Sequence, residues 1–292
     1  MFYLEVDSFM KRSLISAALA TVAACAISSA AIAAPFFVNL DLVGTADADI
    51  KGSNAEMKTT SYGINGGTDW ISVGVTRTDY DFSNLNNAPF DSLNKVYVDL
   101  RYDGYISSSI RYYAGLNLAA LYESDLDIGN SYNISPRIAV GWEFMNGITA
   151  FAGAFASLNE ADNIFEPIFG LEVGKNHELG WTGSIAYPST RIQYRFNPTW
   201  AVDASFMTVR DTYNLDDDSA KPAKLKNGYM REESYGLGLG VSYTPVQMVT
   251  ISAGLVSYFD REFKFYDQGG NSIGTVETDN SNGAYVRAAI NF

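Results

Sequence analysis

Tyr132-Asn133-Ile134-Ser135-Pro136-Arg137-Ile138-Ala139-Val140-Gly141-Trp142-Glu143-Phe144 alternates without a break. Tyr132, Ile134, Pro136, Ile138, Val140, Trp142 and Phe144 share one face; Asn133, Ser135, Arg137, Ala139, Gly141 and Glu143 share the other. A period of two means a strand, because successive side chains point to opposite sides of the backbone. The thirteen-residue segment is also longer than the five or six residues of a common soluble strand. The pattern returns in Val96, Val98, Leu100 and Tyr102, and again in Tyr235, Leu237, Leu239, Val241 and Tyr243, whose partners on the opposite face are Ser234, Gly236, Gly238, Gly240 and Ser242. No helical stripe of useful length competes with it, so the expectation is an all-β chain of long strands.

Composition narrows the class. The chain has 292 residues, 47% hydrophobic and 18% charged, with 19 Tyr, 17 Phe, one Cys and one His. This excludes a disordered tail and a disulfide scaffold. After the first forty residues no apolar run reaches the roughly 20 residues that a membrane helix requires. A net charge of −13 argues against nucleic-acid binding, which needs a basic surface to neutralise phosphates. A soluble acidic domain and a membrane β-barrel remain.

The amino-terminal segment favours export. Met10-Lys11-Arg12 opens a basic region, Leu14 to Ile27 is apolar, and Ala31-Ile32-Ala33 is the small-x-small pattern of a signal-peptidase site. Residues 1–33 therefore read as a signal peptide with translation starting at Met10, and 34–292 as the exported domain. Val22-Ala23-Ala24-Cys25 also fits a lipoprotein box, but the apolar residues after Cys25 suit an unfinished apolar core better.

The connections between strands alternate in length. Short turns are expected at Asn65-Gly66-Gly67, Ser107-Ser108, Asn146-Gly147, Lys175-Asn176, Asn197-Pro198 and Pro245-Val246. Longer polar links are expected at Thr45 to Ala55, Tyr80 to Asn94, Glu123 to Asn130, Asn159 to Asn163, Asn214 to Met230 and Asp267 to Ser281. Tight turns on one side and long loops on the other are the asymmetry of an outer-membrane barrel. The segments number about fourteen, with both termini on the short-turn side. Twelve is the fallback if Leu179 to Tyr187 and Arg191 to Phe196, joined at Pro188-Ser189, are not both full strands. The expected fold is an antiparallel up-and-down transmembrane β-barrel.

Two further signals agree with it. Trp70, Trp142, Trp181 and Trp200 each lie within five residues of a predicted short turn, as a girdle at one membrane interface requires. The last strand, Gly283 to Phe292, alternates and ends in Phe; with Tyr285, Ile290 and Phe292 it resembles the signal by which the barrel-assembly machinery recognises its substrates.

Ser184 to Asn197 and Gly254 to Phe263 carry the motifs P-x-x-R-x-x-Y and F-D-R-E. In these stretches the chain resembles an outer-membrane β-barrel family of unknown function. The resemblance implies the fold and a place in the outer membrane, and it brings no catalytic residue or substrate.

Candidate functional residues come from the polar faces. Arg77, Asp99, Arg101, Arg111, Arg137, Glu143, Glu166, Glu172, Arg191, Arg195, Asp203 and Arg287 are expected to line the lumen, because an Arg or Lys facing the bilayer midplane costs about 2–4 kcal/mol. They either brace the wall as paired charges or line a solute path. The long links carry most of the excess acid, including Asp47, Asp49, Glu123, Asp125, Asp127, Asp267 and Glu277. Solubility, cation bridging to lipopolysaccharide, or a cation-attracting mouth would each account for this. His177, the one histidine, falls at a predicted short turn, where it could serve no hydrolase facing the outer leaflet. No enzyme, cofactor or metal site is expected. The expected function is a passive porin-like channel for small polar solutes or ions. The alternative is a non-conducting structural barrel that meets lipopolysaccharide or an external partner.

Overall fold

The computed structural model describes residues 35–85, 87–145, 147–174, 179–217 and 221–292. The predicted leader, with Cys25, and His177 lie outside them. Sixteen strands are present in chain order: β1 (Phe37–Thr45), β2 (Ala48–Asp49), β3 (Glu56–Gly67), β4 (Ile71–Ser83), β5 (Ser92–Ser107), β6 (Ile110–Tyr122), β7 (Tyr132–Met145) and β8 (Ile148–Ser157) come first. They are followed by β9 (Ile164–Val173), β10 (Gly180–Tyr187), β11 (Ser189–Arg195), β12 (Trp200–Asn214), β13 (Tyr229–Val246), β14 (Val249–Tyr266), β15 (Ser272–Thr278) and β16 (Ser281–Asn291). Helix α1 (Ile128–Ser131) is a single turn, capped where Asp127 accepts from the Gly129 N–H at 2.9 Å.

Fourteen of these strands form a closed antiparallel barrel, each pairing with its sequence neighbours. Two ladders on β1 complete the ring: Leu40 lies opposite Ala288 of β16 on one side and Ile64 of β3 on the other. The Phe292 N–H donates to the Phe36 carbonyl at 2.7 Å, which ties the two ends of the chain together at the short-turn end. β2 and β15 are additions to the ring, paired with β3 and β14 inside the first and last long links. Both weak segments, β10 and β11, are barrel strands, so fourteen replaces the fallback of twelve.

The faces are inverted relative to a soluble domain. On β13, Leu237, Leu239 and Val241 are exposed while Ser234 and Ser242 are 2% and 1% exposed. On β7, Ile138, Val140, Trp142 and Phe144 are exposed while Ala139 and Asn133 are buried. Inward glycines make room for inward aromatics: a Cβ on Gly240 would lie 2.0 Å from Tyr285 Oη.

Several predicted boundaries move. The turn assigned to Asn65-Gly66-Gly67 is ladder, and the chain reverses at residues 68–70, where the Thr68 N–H donates to the Ile71 carbonyl at 2.7 Å. Pro245-Val246 likewise belongs to β13, which reverses at residues 247–248. Tyr80 to Asn94 shrinks to residues 84–91, and Asn214 to Met230 to residues 215–228, because the strands continue past the first polar residues on their inward faces.

Candidate functional site

The lumen divides into two levels with different chemistry. Toward the short-turn end lies a polar chamber of about 1210 Å³. Among the predicted lumen residues, Arg101, Arg111, Arg137, Glu143, Glu172, Arg191, Arg195 and Arg287 line it. Most of them are braced. Asp99, on the inward face of β5, is 5% exposed at its side chain; it meets Arg101 at 2.5 Å and, across β6, Arg137 of β7 at 2.9 Å. Arg287 pairs with Asp41 across the β1–β16 closure at 2.7 Å, and its guanidinium stacks 4.6 Å over Tyr285. Arg111 reaches Asp103 at 3.3 Å and lies over the Tyr105 and Tyr113 rings. Asp203 is buried behind the chamber, within 3.4 Å of Ser242 Oγ and 3.5 Å of Tyr285 Oη.

Two arginines of β11 differ. Arg191 and Arg195 have no carboxylate within salt-bridge distance among the described residues, and they face the chamber from one strand. Arg195 donates to the Pro198 carbonyl at 3.2 Å and to Gln193 at 3.4 Å.

Above the chamber the lumen is filled. A smaller polar cavity of about 380 Å³ holds the Lys95–Asp211 pair at 2.7 Å and the Arg261–Glu232 pair at 2.7 Å, with Tyr80 Oη donating to Glu232 at 2.8 Å. Next to it Met57, Phe90, Leu93, Leu121, Leu215 and Met230 close into an apolar core with Tyr80, Tyr213, Phe263 and Phe265. Tyr80 and Phe90 meet edge to face at 4.9 Å. The tops of β6 and β12, with five strands between them in the wall, come together inside it: Tyr122 pairs with Asn214, and the Glu123 N–H donates to the Asn214 carbonyl at 3.0 Å. Among the described residues the long-link end is therefore a packed core.

Sequence reading did not single out Lys95, Asp211, Glu232 and Arg261. Lys95, Asp211 and Glu232 lie on the inward faces of segments already read as strands, whereas Arg261 faces inward only because a bulge at Asp260 shifts the parity of β14. Two other assignments change. Arg77 lies outside the lumen: Thr76, Thr78 and Tyr80 take the inward face of β4, so Arg77 points outward and pairs with Asp79 at 2.8 Å and with Asn94 at 3.4 Å. Asp79, two residues along on the same outward face, offsets its charge there, so charge alone did not fix its direction. Glu166 is inward on β9 but sits at a seam in the wall, against Arg210 and Tyr187, and does not line the chamber.

Much of the loop acid is engaged in loop structure. Asp267 accepts the Gly269 and Asn271 N–H groups at 2.9 and 2.8 Å, and these bonds hold its carboxyl below the usual carboxylate range. Glu123 pairs with Lys221 and accepts the Asp216 N–H at 2.9 Å, while Glu277 pairs with Lys51 at 2.9 Å. Trp70, Trp142, Trp181 and Trp200 are all exposed near the short-turn end. Tyr285 is buried in the lumen wall, whereas Phe292 is exposed beside Phe36. Among the described residues no group of three His, Cys, Asp or Glu side chains is placed to hold a metal ion.

No protein-family model matches the sequence, and no curated protein matches it. Among solved structures, an outer membrane channel from Pseudomonas putida F1 is similar at 8% identity and a TM-score of 0.43, over 88% of this chain and 94% of that one. The NanC porin matches at 12% identity and a TM-score of 0.38, over 86% and 98% of the two chains. The Pseudomonas putida toluene transporter TodX matches at 12% identity and a TM-score of 0.35, over 88% and 89%.

Proposed function

We propose that this chain is an outer-membrane β-barrel whose polar chamber is a passive path for small solutes, with a bias toward anions. The single observation that carries the reading is the inverted barrel. Its apolar outward face, a large apolar patch that a water-soluble surface rarely shows, calls for lipid, and its inward face builds a charged chamber of about 1210 Å³. The predicted leader, the Trp girdle and the terminal Phe fit insertion by the barrel-assembly machinery into a membrane that carries lipopolysaccharide. The bias toward anions rests on Arg191 and Arg195 standing together on one strand without a carboxylate in salt-bridge distance among the described residues, and it is opposed by Glu143 and Glu172, which line the same chamber without a basic partner among those residues.

Reversal potentials across a planar bilayer with a salt gradient test the sign. Anion preference is expected, and Arg191→Gln should weaken it. Cation preference would return selectivity to the acidic loops and remove the arginines from the path. The non-conducting structural barrel is favoured by one observation, the apolar core across the long-link end. Verified folded barrels without conductance would establish it.

A further inference from the structure

Between β9 and β12 the wall is not a hydrogen-bonded sheet over its full height. The β10–β11 hairpin that stands between them ends at Pro188. β9 pairs with β10 only from Phe169 to Val173, and β12 pairs with β11 only from Ala201 to Met207. The Thr208 N–H reaches the Pro188 carbonyl at 3.1 Å, and beyond it residues 164–168 of β9 and 209–213 of β12 face each other with no strand between.

The sequence prepares the free edge. Leu158 of the β8–β9 link exchanges both its backbone bonds with Ile134 of β7. Ladder alternation then points the N–H groups of Ile164, Glu166 and Ile168 toward β8, and position 167 away from it. That position is Pro167, which has no N–H to leave unpaired.

Side chains close the opening. Arg210, on the outward parity of β12, pairs with Glu166, which also accepts from Tyr187 Oη. Farther up, Arg231 meets the Asp162 carboxylate at 2.9 Å and its carbonyl at 3.0 Å. The outer rim is apolar: Phe165 and Phe169 are exposed, and Tyr187 stacks on Phe169 at 5.8 Å. Behind the seam, Phe151 and Ile168 line the same chamber as Arg191 and Arg195.

We propose that this opening is a latched side window that admits single-chain amphiphiles with an anionic head from the outer leaflet into the chamber. The head meets Arg191 and Arg195, the tail crosses the Phe165–Phe169 rim, and the Arg210–Glu166 pair is the latch. The inference rests on the channel reading, and it supplies a route where the apolar core blocks the straight one.

The test uses the full chain with Cys25→Ser and one new cysteine behind the window, Ile168→Cys or, as an independent position, Phe151→Cys. Folded barrels in liposomes are exposed either to N-hexadecylmaleimide held in the bilayer or to a water-soluble sulfonated maleimide. Both reagents are expected to label, and Arg210→Gln should speed labelling by the bilayer reagent by about tenfold, since it removes a charge-assisted bond. Labelling by the aqueous reagent alone, with and without Arg210→Gln, would overturn the window and leave the channel reading intact. Labelling by neither would overturn both, and a rate unmoved by Arg210→Gln would overturn the latch.

Discussion

Asp99 holds two arginines at once, from its own strand and from β7, and the three brace the chamber wall. Asp99→Asn preserves the shape and removes the charge that compensates Arg101 and Arg137. It should destabilise the folded barrel by about 1–3 kcal/mol, read as a lower denaturant midpoint, and it should deepen the preference for anions. Asp267 gives a pH prediction of definite sign. Its carboxyl lies below the ordinary value because the Asn271 N–H and side chain and the Gly269 N–H donate to it. A carboxyl depressed in the folded state stabilises above its unfolded pKa, and that contribution is lost as pH falls through the lowered value. The 267–271 turn should therefore keep its amide-exchange protection through the ordinary carboxylate range and lose it only at lower pH, whereas Asp267→Ala should lack it throughout. At this scale the sequence was readable for inward charges flanked by alternating apolar residues, as for Arg137 and Glu143. It misplaced Arg77, whose partner Asp79 shares its face and neutralises it outside the lumen.

Strand parity was legible because the pattern of each strand is local: β7 and β13 have the faces their sequences announce. Strand height was not. β4 runs on to Ser83 and β5 begins at Ser92, inside the link expected at Tyr80 to Asn94, because these ends pack on residues distant in the chain, whereas β14 ends at Tyr266 and β10 and β11 meet at Pro188 where the expected links put them. Tyr80, Leu121 and Phe263 form one core from three separate strands, a juxtaposition with no local signature. The final strand β16 is where local and long-range readings coincide. Its outward Val286, Ala288 and Ile290 fall where alternation put them, and its ladder with β1 closes the ring. Deleting Phe292, or replacing it with Asp, should lower the amount of heat-modifiable barrel in the outer-membrane fraction and leave periplasmic or degraded chain. Unchanged levels would remove Phe292 from the assembly signal.

For the whole molecule, an apolar exterior, a charged chamber at the short-turn end and an apolar core at the other make, among the described residues, a barrel that is polar inside at one end and packed at the other. The central claim is that the chamber conducts, and single-channel recording from verified folded protein in a planar bilayer tests it most directly. The account predicts clear conductance from a Phe90→Ser, Leu121→Ser variant that loosens the apolar core, well above that of the native chain, whose long-link end the core closes. Silence from both proteins, across voltages and with the barrel shown to be folded, would contradict it.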